Sequence, residues 1–111
     1  MPVHLAKRRY LVFQVLSDQI PAGRAVLEAV TDSISTLFGE IGVSRLHFTP
    51  ILYDEARGEG VIRCDHENVQ DLRAAMAFVD HVDSQRASII VRGVSGTLRA
   101  IDAKFFSETR A

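Results

Sequence analysis

The sequence predicts an α+β sandwich, with elements in the order β-α-β-β-α-β and a short helix at the end. Three observations predict it. Apolar residues first alternate at a period of two (Leu11, Phe13, Val15), then recur at helical spacing from Leu27 to Ile41. The same pair of periods returns, with Val61-Ile62 followed by Val69, Leu72, Met76 and Val79. A last β-branched run, Ile89-Ile90-Val91, supplies the closing strand.

Taken in order, residues 1–6 show no period, and residues 9–16 read as the first strand. Leu11, Phe13 and Val15 point one way; Tyr10, Val12 and Leu16 point the other. Apolar residues on both faces suggest a central strand. Residues 17–20 turn, and Pro21 suits the first helical turn, where its missing amide costs little. Leu27, Val30, Ile34, Leu37 and Ile41 form the stripe of a helix of about five turns, which Gly39 and Gly42 close. Residues 43–53 read as a second strand, and Pro50 within it requires an edge position or a bulge. Gly58 can supply the positive φ of the next hairpin. After the third strand, Asp65 is placed to cap the second helix. Residues 80–85 read as a polar connection and 87–94 as the last strand; Leu98, Ile101 and Phe105 mark a terminal helix. This order implies a ferredoxin-like (RRM-like) sandwich: a four-stranded antiparallel sheet with two helices on one face.

The 111 residues, 47% hydrophobic and 24% charged, suit one globular domain. A single cysteine, Cys64, excludes an internal disulfide and any CxxC motif. No apolar run is long enough to span a membrane and none forms a leader, so a cytoplasmic location is expected. Net charge is −1, but its distribution is uneven. Residues 1–17 carry three bases and no acid; residues 18–83 carry 12 acids and 5 bases; residues 84–111 carry 5 bases and 2 acids. A localised basic patch suffices to contact phosphate; the competing reading is that terminal bases are merely solvated.

Few patterns carry chemistry. Gly93-Val-Ser-Gly-Thr97 fails as a nucleophile elbow, because Thr97 stands where the second glycine belongs, and Ser95 is not expected to be catalytic. It also lacks the length and lysine of a Walker loop. Glycines after a strand, flanked by Arg92 and Arg99, can still bring amides to a phosphate. The alternative is a turn in which Ser95 or Thr97 caps the last helix. His4, His47, His66 and His81 lie far apart, so no metal site is expected. Asp54 and Glu55 read as a solvated turn, and Cys64 as a small buried hydrophobe. The third strand carries no aromatic residue, so RNA, if bound, would be read by its phosphates and shape.

Three blocks carry a resemblance. They are Lys7-Arg-Arg-Tyr-Leu-Val-Phe13, then Gly60-Val-Ile-Arg-Cys64 with Val69-Gln-Asp-Leu-Arg-Ala-Ala-Met76, then Val91-Arg-Gly-Val-Ser-Gly-Thr-Leu-Arg99 with Lys104-Phe-Phe106. In order and spacing the chain resembles the ribonuclease P/MRP small protein subunit family of archaea and eukaryotes, over nearly its whole length. The resemblance implies the same fold and a subunit of archaeal ribonuclease P, the ribonucleoprotein that removes the 5′ leader of precursor tRNA. It implies that the RNA holds the active site and its Mg2+, and that this chain has no catalytic residue and binds no cofactor. It implies pairing with ribonuclease P protein component 3 and self-association into a heterotetramer. Carried over by motif, Lys7, Arg8, Arg9, Arg63, Arg92, Gly93, Ser95, Gly96, Thr97, Arg99 and Lys104 are expected to face RNA. Members of the family often carry Lys or Arg soon after the Arg-Cys pair; here Asp65, His66 and Glu67 follow it. The competing function is a ferredoxin-like regulatory module that binds a small ligand at a dimer interface.

Overall fold

The computed structural model describes residues 7–101. The elements are β1 (Arg8–Ser17), α1 (Gly23–Arg45), β2 (Thr49–Asp54), β3 (Glu59–Asp65), α2 (Val69–Phe78), β4 (His81–Val82), β5 (Gln85–Ser95) and α3 (Leu98–Ile101). The five strands form one antiparallel sheet in the order β2-β3-β1-β5-β4. The polar connection read before the last strand therefore holds a further strand. Val82 pairs with Gln85 around Asp83 and Ser84, whose φ values of 52° and 70° make a two-residue hairpin turn without glycine.

β1 is central, as its two apolar faces require. Leu11, Phe13 and Val15 pack beneath α1 and α2, against Val26, Val30, Ile34, Leu72 and Met76. Val12 faces the other way and joins Val61 and Ile101, so α3 covers part of the second face. Phe13 pairs with Gly60, which in turn pairs with Tyr53. With no side chain at 60, the Phe13 ring reaches across to stack on Tyr53, 6.1 Å away at 15°. A Cβ on Gly60 would stand 2.5 Å from Phe13 Cζ and 3.0 Å from the Leu52 carbonyl. Gly58 has φ +71° and accepts from the Val15 amide at 2.7 Å, so it turns the hairpin as its residue type predicts.

Several expectations need correction. α1 begins at Gly23, two residues after Pro21, whose carbonyl instead accepts from Tyr53 Oη. Gly39, at φ +73°, breaks α1 but does not end it. Leu46 is fully buried and its amide bonds Gly42, so the core draws a second helical segment back after the break. The break also shifts the stripe: Ile41, expected on the apolar face, is 82% exposed. The second strand is accordingly shorter than read and starts at Thr49. It lies at the edge, and its register with β3 shifts between Pro50 and Leu52, where the proline demanded an irregularity. Asp65 makes no capping bond; it pairs with Arg8. No helix among the described residues is long and apolar enough to cross a membrane.

Candidate nucleic-acid interface

Antiparallel pairing sets the start of β1 between the ends of β3 and β5. Arg8 lies opposite Asp65, Arg9 opposite Cys64, and Tyr10 opposite both Arg63 and Ser95. Lys7 immediately precedes, and its carbonyl accepts from the His66 amide at 2.7 Å. Lys7, Arg8, Arg9, Arg63 and the turn after β5 thus gather at one end of the sheet, although they are distant in sequence. Arg9 Nη1 donates to the Arg8 carbonyl at 2.9 Å, which holds the guanidinium beside Gly96. A Cβ on Gly96 would come within 3.8 Å of it. Arg8 Nε lies 3.6 Å from Asp65 Oδ1, with both side chains about half exposed. Such a pair contributes little to stability and keeps Arg8 near the surface. A cleft of about 290 Å³ opens here, lined by Arg8, His47, Thr49, Arg63, Cys64 and Asp65.

The glycine-containing segment is more ordered than a loop. β5 runs through Gly93, which pairs with Val12, to Ser95, which pairs with Tyr10. Only Gly96 and Thr97 turn. Thr97 donates its amide to Ser95 Oγ at 3.2 Å, and Thr97 Oγ1 accepts from the Ala100 amide at 3.1 Å. The two hydroxyls therefore build the turn and start α3, and the cap read as the alternative is present. Arg99 is exposed on α3. Arg92 lies away from the basic end, and its Nη1 donates to Glu59 Oε2 at 3.3 Å. Lys104 lies outside the described residues.

The candidate nucleophiles are quiet. Burial, then the Asp65 charge, pushes the Cys64 thiol up to about 11, so it is neutral at ordinary pH. Ser95 Oγ is held by the Thr97 amide. Among the described residues no group of three or more His, Cys, Asp or Glu side chains could hold a metal ion. What this end offers is cationic N–H donors, the chemistry that recognises phosphate oxygens. The sequence reading missed His47 and Thr49, which only the start of β2 brings to the cleft. It also missed Arg57 and Glu59. A lone acid between two glycines in a strand of buried residues was the available signal for Glu59. Tyr10 is an aromatic residue on the helix-free face; it packs against Val12, Val61 and Ile101.

Comparison with known proteins places this geometry among relatives. The model of the Rpp14/Pop5 family matches residues 9–106. Ribonuclease P protein component 2 of Methanosarcina acetivorans is 35% identical over 109 residues, covering 97% of this chain and 80% of that protein. The protein of the same name from Pyrococcus furiosus is 32% identical over 102 residues, covering 92% of this chain and 85% of its own. A chain in the cryo-EM structure of yeast ribonuclease MRP superposes with a TM-score of 0.71 at 11% identity, covering 98% of this chain and 95% of that one. A likeness at that identity shows a shared fold.

Proposed function

The chain belongs to the Rpp14/Pop5 family, and we propose that it serves as a protein subunit of ribonuclease P, in the removal of 5′ leaders from precursor tRNA. The observation that carries this reading is the family match over nearly the whole chain, joined by relatives that bear the component 2 name. It favours an RNA-dependent role over a small-ligand regulatory module. The long strands β2-β3-β1-β5 are read as the ferredoxin-like core, with β4 as an added edge hairpin.

In this reading the active site and its Mg2+ belong to the RNA, and the chain is a non-catalytic subunit of an archaeal, cytoplasmic enzyme. The basic end, with Lys7, Arg8, Arg9, Arg63, Gly96 and Arg99, contacts RNA phosphates; Lys104 belongs to the same set by motif. Gly93, Ser95 and Thr97 shape the turn that carries Gly96 and Arg99. Component 3 and a second copy of this chain are the protein partners, in a heterotetramer. Leu16 and Ile90 support such association: they are 50% and 47% exposed, diagonal neighbours on the helix-free face.

Reconstitution tests the reading. The purified chain with Mg2+ should leave precursor tRNA intact, and adding the homologous RNA with the remaining subunits should produce cleavage that drops when this chain is omitted. RNA-free cleavage that follows this polypeptide through purification would refute it.

A further inference from the structure

The cleft at the basic end holds more than cations. Val12 and Val61 lie on the helix-free face. Side chains alternate along a strand, so Arg63 and Asp65 share that face with Val61, and Arg8 and Tyr10 share it with Val12. Register sets Asp65 opposite Arg8, and Arg63 between Tyr10 and Thr49. Arg8, Thr49, Arg63 and Asp65 line the cleft with His47 and Cys64. Its volume of about 290 Å³ is near the lower end of small-ligand pockets, about 300 Å³.

The charge balance here is positive: Lys7, Arg8, Arg9 and Arg63 stand against Asp65 and, in the turn after it, Glu67. Arg63 takes part in no ion pair among the described residues. A surface that met phosphate alone would gain nothing from a carboxylate in its wall. Asp65 is that carboxylate, and its side chain is 42% exposed. Arg8 Nε, at 3.6 Å, is too far for a hydrogen bond, and Asp65 caps no helix amide. Its oxygens therefore keep lone pairs for a donor from outside. The cleft has further acceptors. The Thr49 hydroxyl both donates and accepts. His47 Nδ1 lies 3.2 Å from the Ser44 carbonyl, which can only accept. Nδ1 thus carries the proton, and the neutral ring keeps Nε2 as an acceptor. Phosphate oxygens have no use for acceptors. A ribose 2′-hydroxyl donates; in RNA it sits beside the phosphate of its own nucleotide, and DNA lacks it.

We propose that the cleft takes a ribose–phosphate unit of RNA, with Arg8 and Arg63 on the phosphate and Asp65 accepting from the adjacent 2′-hydroxyl. Asp65 is then the residue that selects RNA over DNA at this end of the sheet. The inference rests on the ribonuclease P reading and deepens it at the same site.

A ratio of affinities separates hydroxyl recognition from plain charge. The full chain is titrated with oligouridylate and with oligodeoxyuridylate of equal length, and with a transcript of the homologous ribonuclease P RNA. The two oligomers carry the same phosphates and differ in the 2′-hydroxyl. The wild type should prefer oligouridylate by about threefold or more, the share of one hydrogen bond. Asp65→Ala should bring the ratio close to one by weakening the RNA complex. Asp65→Asn keeps an oxygen acceptor and should retain the preference. Arg63→Ala should weaken both complexes and leave the ratio alone. The Arg8–Asp65 pair is half-exposed and contributes little to stability, so a thermal melt should find the variants folded. Should Asp65→Ala fail it, Asp65→Lys carries the test: both complexes tighten with the added cation, yet the preference is lost. If Asp65 only repels phosphate, Asp65→Ala tightens both complexes equally, and that result overturns the proposal. A wild type that binds the transcript in a salt-dependent way but shows no preference for oligouridylate overturns the proposal alone. A wild type without salt-dependent binding to the transcript removes the RNA interface as well.

Discussion

At the scale of single residues, Cys64 shows how position decides chemistry. It is 4% exposed, opposite Arg9 in the sheet and in the wall of a cationic cleft. Nearby arginines would favour a thiolate, yet burial and Asp65 prevail and push the thiol from 9.0 up to about 11. The folded chain thus keeps a proton that the unfolded chain loses first. Between pH 9 and 11 the unfolded state binds fewer protons, so stability falls as pH rises through that window and is unaffected below it. Urea unfolding of the wild type and of Cys64→Ser from pH 8 to 10.5 checks this: the wild type should lose more stability relative to its value at pH 8 than the variant does, since Tyr53, raised by burial and the nearby Glu55 and Asp54 charges, contributes to both. A thiol reagent at pH 8 should find only about one native thiol in a thousand ionised. The sequence reading placed Cys64 correctly as a small buried hydrophobe. Asp65 it misplaced as a cap, because a residue type before a helix does not reveal a competing arginine across the sheet.

At the scale of elements, the legible ones were those whose period matched their burial. β1 and the turn between β2 and β3 lie within one or two residues of their expected places, whereas β2 starts at Thr49 rather than at residue 43 and α2 starts at Val69, three residues later than a cap at Asp65 implied. Two failures share a cause: a local signal gave way to a long-range contact. Gly39 reads as a helix end, but burial of Leu46 restarts the helix beyond it. β4 was invisible because its turn, Asp83-Ser84, lacks the glycine expected when both φ values are positive. Val82, 1% exposed, anchors the hairpin and enforces the turn. Asp tolerates the left-handed region; Ser at φ 70° is strained there. Ser84→Gly should relieve that strain by more than the extra unfolded-state entropy costs. A net gain of about 0.5–1 kcal/mol is expected, seen as a higher melting temperature with an unchanged fold. A lower melting temperature would mean that the Ser84 side chain contributes something its backbone strain conceals.

At the scale of the whole molecule, the charge distribution becomes a direction. Along the sequence, two basic ends flank an acidic middle. The antiparallel register shows that the described parts of those ends meet, and it draws Arg63 from the acidic middle to join them. The far end of the sheet is acidic: Glu28, Asp32, Asp80 and Asp83 line a cavity of about 280 Å³ beside the start of β5. β1 is 10 residues long, so the two ends are separated by roughly 30 Å, several times the Debye length of about 8 Å at physiological salt. Charges at one end are therefore screened from a ligand at the other, and net charge of −1 is a poor guide to RNA affinity. Arg9→Ala with Arg63→Ala should lower the salt slope of RNA binding by about 0.7–0.9 for each phosphate that is no longer neutralised. Arg99→Ala with Lys104→Ala should act in the same direction. Glu28→Ala with Asp32→Ala changes net charge by the same amount in the opposite sense, and, because these residues line that cavity and not the basic end, should leave both affinity and slope unchanged. If the acidic pair moves the slope as far as the arginine pair does, binding responds to total charge rather than to place, and the basic end loses its standing as an interface.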